Sequence, residues 1–163
     1  MAGTVRPAAS AESPSLSEVH QDPYITISAE IPGTLVRLQR SSLAHSTPEE
    51  LENSYRHASV AIDRLTRTGR VLLVDMRQAP GRNEPEFDAA LRRVRPLVER
   101  QMKRIAVLLR STVGILQMKR INHEDGVSRM LTLDENEALE FLRNGQVEEK
   151  DSGQSAKTNE AEH

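Results

Sequence analysis

The sequence predicts one α/β domain, and three observations carry that prediction. Two β-rich runs flank Pro32-Gly33 near the start of the chain. Two continuous apolar runs, residues 71–74 (VLLV) and 105–109 (IAVLL), read as strands buried on both faces. Segments with helical periodicity and capping residues alternate with those runs. The expected order is two strands, then helix–strand three times, then a final helix. Such alternation implies a mostly parallel sheet of about five strands with an N-terminal β-hairpin and about four helices.

Each element has its own signal. Residues 24–31 (YITISAEI) and 34–40 (TLVRLQR) form the hairpin, and Pro32-Gly33 suits a type II turn between them. Thr47-Pro48-Glu49-Glu50 starts a helix, with Thr47 as cap, Pro48 in the first position and Glu50 closing a capping box. Leu51, Tyr55, Ala58, Ile62 and Leu65 then recur on one helical face, and Gly69 supplies the stop. After the 71–74 strand, Asn83 is positioned to cap a helix opened by Glu84-Pro85-Glu86. Phe87, Leu91, Val94, Val98 and Met102 line its apolar face, and Pro96 marks a kink or a boundary. Beyond the 105–109 strand, Ser111 or Thr112 caps a short helix over residues 113–118. Residues 127–133 read as a weaker strand, and Asp134 to Glu137 as a capping box opening a last helix that Gly145 ends.

Domain boundaries follow from composition. Residues 1–22 are rich in Ala, Ser, Pro and Glu without periodicity and read as a disordered tail. Residues 145–163 are charged, nearly free of large apolar side chains, and read as a disordered acidic tail. The folded domain is expected over 23–144. No segment reaches the roughly 18 consecutive apolar residues of a membrane span, and the N-terminal stretch lacks signal-peptide and transit-peptide patterns. A cytoplasmic location is therefore expected. The absence of cysteine excludes a disulfide framework, a thiolate metal site and a cysteine nucleophile. A net charge of −2 favours no polyanionic partner. The only aromatics are Tyr24, Tyr55, Phe87 and Phe141, too few for a base-stacking platform, so nucleic acid is not the expected partner.

The opening hairpin, the three helix–strand units and the closing helix resemble the STAS domains of anti-sigma-factor antagonists and the broader SpoIIAA-like, SEC14-like group. The pieces that match are VLLVDMR, a buried strand ending in Asp75; RIAVLL, the next strand; and DENEALEFL, the closing helix. The resemblance covers residues 24–144 and is one of pattern rather than of diagnostic motif. It implies a noncatalytic regulatory role of the kind found in bacterial-type signalling, with no cofactor. In STAS regulators an Asp followed by a phosphorylatable Ser opens the helix after the central strand. Ungapped superposition sets Asn83 at the Asp and Glu84 at the Ser, so the hydroxyl is missing. Glu84 then either mimics the phosphorylated state or simply favours a helix N-terminus.

Asp75 supports a second resemblance, to the phosphoacceptor of response-regulator receiver domains. That chemistry needs an acidic pair after the first strand to hold Mg²⁺, where this chain has Glu30 alone. It also needs a Lys after the neighbouring strand, where this chain has Arg110-Ser111-Thr112. Hydrolytic chemistry finds no motif: His20, His45, His57, His123 and His163 are scattered, and GxSxG, GxGxxG and Walker patterns are missing.

Between Arg77 and Arg120 basic residues outnumber acids. Arg92, Arg93, Arg95 and Arg100 form either the solvated side of an amphipathic helix or a docking surface. The acidic tail, with Glu148, Glu149, Asp151, Glu160 and Glu162, could fold back onto that surface. The loop from Met76 to residue 83 leaves the carboxyl end of a strand, where open parallel sheets hold ligands. The expected partner-binding residues are therefore Arg77, Arg82, Asn83, Glu84, Arg110, Ser111, Arg92 and Arg95, with no catalytic and no metal residues. The expected partner is another protein, an acidic one if the basic residues form the docking surface, with homo-oligomerisation open. Peripheral binding to an anionic membrane is the alternative, and a receiver-like domain using Asp75 the second.

Overall fold

The computed structural model describes residues 15–82 and 84–145 of the chain. Strands β1 (Ser17–Gln21), β2 (Ile25–Ala29), β3 (Leu35–Arg40), β4 (Val71–Asp75), β5 (Arg104–Leu108) and β6 (Met130–Thr132) form one mixed sheet. Helices α1 (Pro48–Asp63), α2 (Pro85–Glu99), α3 (Thr112–Asp125) and α4 (Glu135–Asn144) complete the α/β domain. The strands lie side by side in the order of the chain. β1–β2 and β2–β3 pair antiparallel, and β3–β4, β4–β5 and β5–β6 pair parallel. The sheet therefore has six strands rather than about five, and it is mixed: three of its five pairings are parallel, so the expected mostly parallel character holds only in part.

The extra strand is β1, which occupies residues read from composition as tail. Its sequence, SEVHQ, has a single large apolar side chain, Val19, so no alternation announces it. What makes it a strand is its partner: β1 pairs with β2 across a bulge between Glu18 and His20. The Asp22 carboxylate then turns the chain by accepting the Tyr24 and Ile25 N–H groups at 2.7 Å each. Residues 1–14 of the N-terminal stretch and residues 146–163 lie outside the described residues.

Alternation along the central strands divides the core. Ile25, Ile27, Val36, Leu38, Leu72, Ile105 and Val107 face α1 and α2, meeting Leu51, Tyr55, Ala58, Ile62, Phe87, Ala90, Val94 and Val98. Leu35, Val71, Leu73, Ala106 and Leu108 face the other way, onto Ala138, Leu139 and Leu142 of α4. The apolar run of β4 is thus covered on both faces, as its composition requires.

Local chemistry sets the ends of the elements. Thr47 Oγ1 accepts the Glu50 N–H at 3.1 Å, but Glu50 Oε1 takes the N–H of Ser46, not of Thr47, and also the Tyr24 hydroxyl. The β2–β3 connection is not a type II turn. Gly33 has φ +152°, where a Cβ would lie 2.5 Å from Glu30 Cβ, and the Glu30 carboxylate accepts the Thr34 and Leu35 N–H groups. α1 stops at Asp63, before Gly69. α2 continues through Pro96 to Glu99, one turn beyond the proline, and its end is capped from outside. Arg67, a buried side chain, donates to the carbonyls of Leu97 (2.9 Å), Val98 (3.2 Å) and Arg100 (2.9 Å), while its Nε holds Asp63 at 2.6 Å. One guanidinium thereby satisfies the orphan carbonyls of α2 and ties that end to α1. α3 is capped by Ser111 and runs on to the left-handed Gly126, well beyond the short helix predicted. Among the described residues, no helix is long and apolar enough to cross a membrane.

Candidate functional site

The three helices on one face of the sheet are unequally attached. α1 and α2 pack along their lengths and are joined by ion pairs of Arg93 with Glu52 and of Arg100 with Asp63. α3 buries none of its residues fully and reaches the core only through half-buried side chains such as Ile115 and Met118. A groove of about 1350 Å³ remains beside α3, over β4 and β5. Val74 of β4, Val107 of β5 and Leu109 just beyond β5 line it, with Leu91 and Val98 of α2 and Met118 and Ile121 of α3.

Charged groups surround this apolar lining. At one end Arg129, buried, joins α2 to the end of α3. Its Nε and Nη2 donate to Glu99 at 2.7 and 2.9 Å, Nη1 donates to Asn122 Oδ1 at 2.7 Å, and Nη2 also meets Asp125 at 2.9 Å. Burial alone would lower the Arg129 pKa, but its carboxylate partners outweigh it and hold the guanidinium firmly charged. Beside this strut sits Arg95. It is half-buried and, among the described residues, makes no hydrogen bond or ion pair. Burial pulls its pKa below the ordinary arginine value.

At the other end lies His45, 3% exposed, with its ring 4.1 Å from that of Tyr24 and its Nε2 buried and, among the described residues, without a partner. Burial, aided by the charge of Arg40, pushes the His45 pKa down to about 4, so the imidazole is neutral at pH 7. Arg82 donates to the His45 carbonyl at 2.7 Å, pairs through Nε with Glu84 at 3.0 Å, and lies 3.8 Å over the Phe87 ring.

The predicted partner-binding residues separate. Arg82, Arg92, Arg95, Arg110 and Ser111 all line the groove. Arg77 does not; its side chain is on the α4 side of the sheet. There Asp75 accepts from Arg37 at 2.6 Å and from Arg77 Nε and Nη2 at 3.0 and 2.9 Å, and both arginines pair with Glu135. Burial would raise the Asp75 pKa, but the bonds and charge of Arg77, with Arg37 behind it, hold it below the ordinary value. Arg77 joins the groove only through its carbonyl, which accepts from Arg110 at 2.9 Å. Glu84 is exposed at the α2 N-cap and makes no side-chain cap bond. Asn83 lies outside the described residues. No family model, curated protein or solved structure matches the chain.

Among the described residues, no three His, Asp or Glu side chains converge as a metal site would require. One residue of the groove, His45, escapes a reading by sequence pattern. His45 offers no signal there, since a loop histidine carries no mark of burial. Arg95 does offer one for its inward position: with Leu91 and Val98 it falls at i, i+4 and i+7, on the inward stripe of α2.

Proposed function

We propose that this chain is a noncatalytic regulatory module, STAS/SpoIIAA-like in its order of elements, that binds another protein in the groove between α2 and α3. The observation that carries this reading is the groove itself, an apolar floor bordered by arginines and left open because α3 stands off from α2. Its volume exceeds the roughly 300–1,000 Å³ of small-molecule sites, and its walls are two helices, the setting in which a partner's helix lays down an apolar face. Asp75 speaks against a phosphoacceptor role: its oxygens are engaged by two guanidiniums, which leaves no free carboxylate nucleophile.

The test is a nuclease-treated pull-down from native lysate, washed at high salt and read by mass spectrometry. Wild type is compared with Met118→Glu, in the groove, and with Arg56→Glu, on the exposed side of α1. A protein retained by wild type and Arg56→Glu and lost by Met118→Glu is expected. Retention through the salt wash separates a packed interface from screened charge attraction. Identical recovery by all three chains, or recovery of nothing, overturns the reading.

A further inference from the structure

We propose that the occupant of the groove is an acidic amphipathic helix of a partner protein, one carboxylate of which docks on the Arg95 guanidinium. This rests on the groove reading above and names the chemistry of the partner.

Charge complementarity selects the acid. Among the described residues, seven guanidiniums line the groove, those of Arg40, Arg82, Arg92, Arg95, Arg110, Arg120 and Arg129, against the four carboxylates of Asp88, Glu99, Glu124 and Asp125. Three of those four are already paired, Glu99 and Asp125 with Arg129 and Glu124 with Arg92 at 3.9 Å, which leaves Arg95 and four further guanidiniums of the lining without a carboxylate of the groove. The groove is therefore basic in a chain whose net charge is −2, and it stands ready for an acidic segment.

Arg95 is the focus of that charge. It projects from the same stripe of α2 as Leu91 and Val98, both apolar lining residues. Arg82, Arg92, Arg93, Arg100 and Arg129 each have a carboxylate partner. Among the described residues, Arg95 has none within pairing distance. A guanidinium that has lost part of its water without gaining a carboxylate is incompletely compensated. An incoming carboxylate meets its fork in bidentate geometry, while flanking leucine-like side chains cover the apolar floor. Such a charge-assisted contact, on a guanidinium already half-buried, is the kind that weighs heavily in a binding energy.

The chain's own termini do not fit. Residues 146–163 carry the acids but only one large aliphatic side chain, Val147, and residues 1–14 carry a single acid, Glu12. Neither can supply charge and apolar cover together. A second copy docking through α3 would bring Lys119 and Arg120 against an already basic rim.

The probe is a fluorescein-labelled synthetic amphipathic helix of Leu and Glu, beside a counterpart with every Glu replaced by Gln, titrated with the full chain by anisotropy. Wild type is expected to bind the Glu peptide about tenfold or more tighter, the scale of a charge-assisted hydrogen bond. Arg95→Gln removes most of that preference. Arg95→Lys keeps only part of it because the fork is lost, and Arg93→Gln leaves it in place. Circular dichroism of each variant checks that it is folded. Equal binding of the two peptides by wild type overturns the carboxylate assignment and leaves the groove reading intact, provided Met118→Glu abolishes both. Full preference retained by folded Arg95→Gln overturns the role of Arg95. Binding of neither peptide, with or without capture of phosphatidylglycerol vesicles, overturns the proposal; the pull-down then decides separately whether the groove reading survives.

Discussion

Replacing His45 by phenylalanine should flatten the acid side of the stability profile. The imidazole is 3% exposed, stacks on Tyr24 and has a folded-state pKa of about 4 against an ordinary 6.5. A pKa lowered by folding means that the unfolded chain takes up the proton first as pH falls. The stabilisation from keeping His45 neutral is fully present above pH 6.5 and drains away between 6.5 and about 4. Integrated over that window, the loss by pH 4 is about 3 kcal/mol. In His45→Phe the phenyl ring would keep the stack on Tyr24, remove the buried unpartnered Nε2 and carry no proton. At neutral pH the variant should match wild type or exceed it by about 1 kcal/mol. As pH falls, the two curves should separate by about 3 kcal/mol. Urea unfolding of both chains at steps from about pH 7 to pH 4 measures this, because carboxylates common to both cancel in the difference. Parallel curves would refute the reasoning. So would a wild type that gains stability below pH 6.5, which would mean that Glu50 and Asp22 hold His45 protonated in the folded chain.

Two further substitutions probe the attachment of the helices. Arg67→Met removes the cap on the end of α2 and should cost about 3–5 kcal/mol in urea unfolding, since several buried carbonyls lose their donor; Arg67→Lys should recover less than half. Arg129→Met should release α3 more than it unfolds the domain. Hydrogen exchange should accelerate across α3 (Thr112–Asp125) while β4 (Val71–Asp75) and β5 (Arg104–Leu108) keep their protection. Uniform acceleration across all of them would contradict this.

Much of the architecture was legible because local and tertiary demands coincide there. Continuous apolar runs could only be buried strands, Thr47 and Ser111 do cap their helices, and Gly145 ends α4 in the left-handed conformation. What escaped depends on partners distant in the chain. β1 exists through its pairing with β2, and the end of α3 through Arg129 reaching back from beyond Gly126. The basic stretch was legible as charge but not as arrangement. Arg93 and Arg100 meet acids of α1, Arg77 turns to the α4 side, and Arg95 enters the groove unpaired among the described residues.

The position of the groove follows from the topology. A crevice at strand ends arises where strand order reverses and adjacent crossovers diverge to opposite faces. Here the order runs from β1 to β6 without reversal, so the expected strand-end pocket has no topological origin. The crossing helices α1, α2 and α3 share one face instead, and any opening must lie between them. α1 and α2 close on one another through Arg67 and two surface ion pairs. Alongside Met118 and Ile121, α3 presents Gly114, Gln117 and Glu124 to the groove, residues too small or too polar to fill a space beside Leu91 and Val98. Its apolar residues are spread around the helix: Ile115 and Met118 touch the sheet, while Val113 and Leu116 remain 63% and 60% exposed. A helix with that pattern cannot bury every apolar side chain within its own domain. The same residues that weaken the internal packing of α3 thus leave an apolar, arginine-bordered surface for another chain to cover.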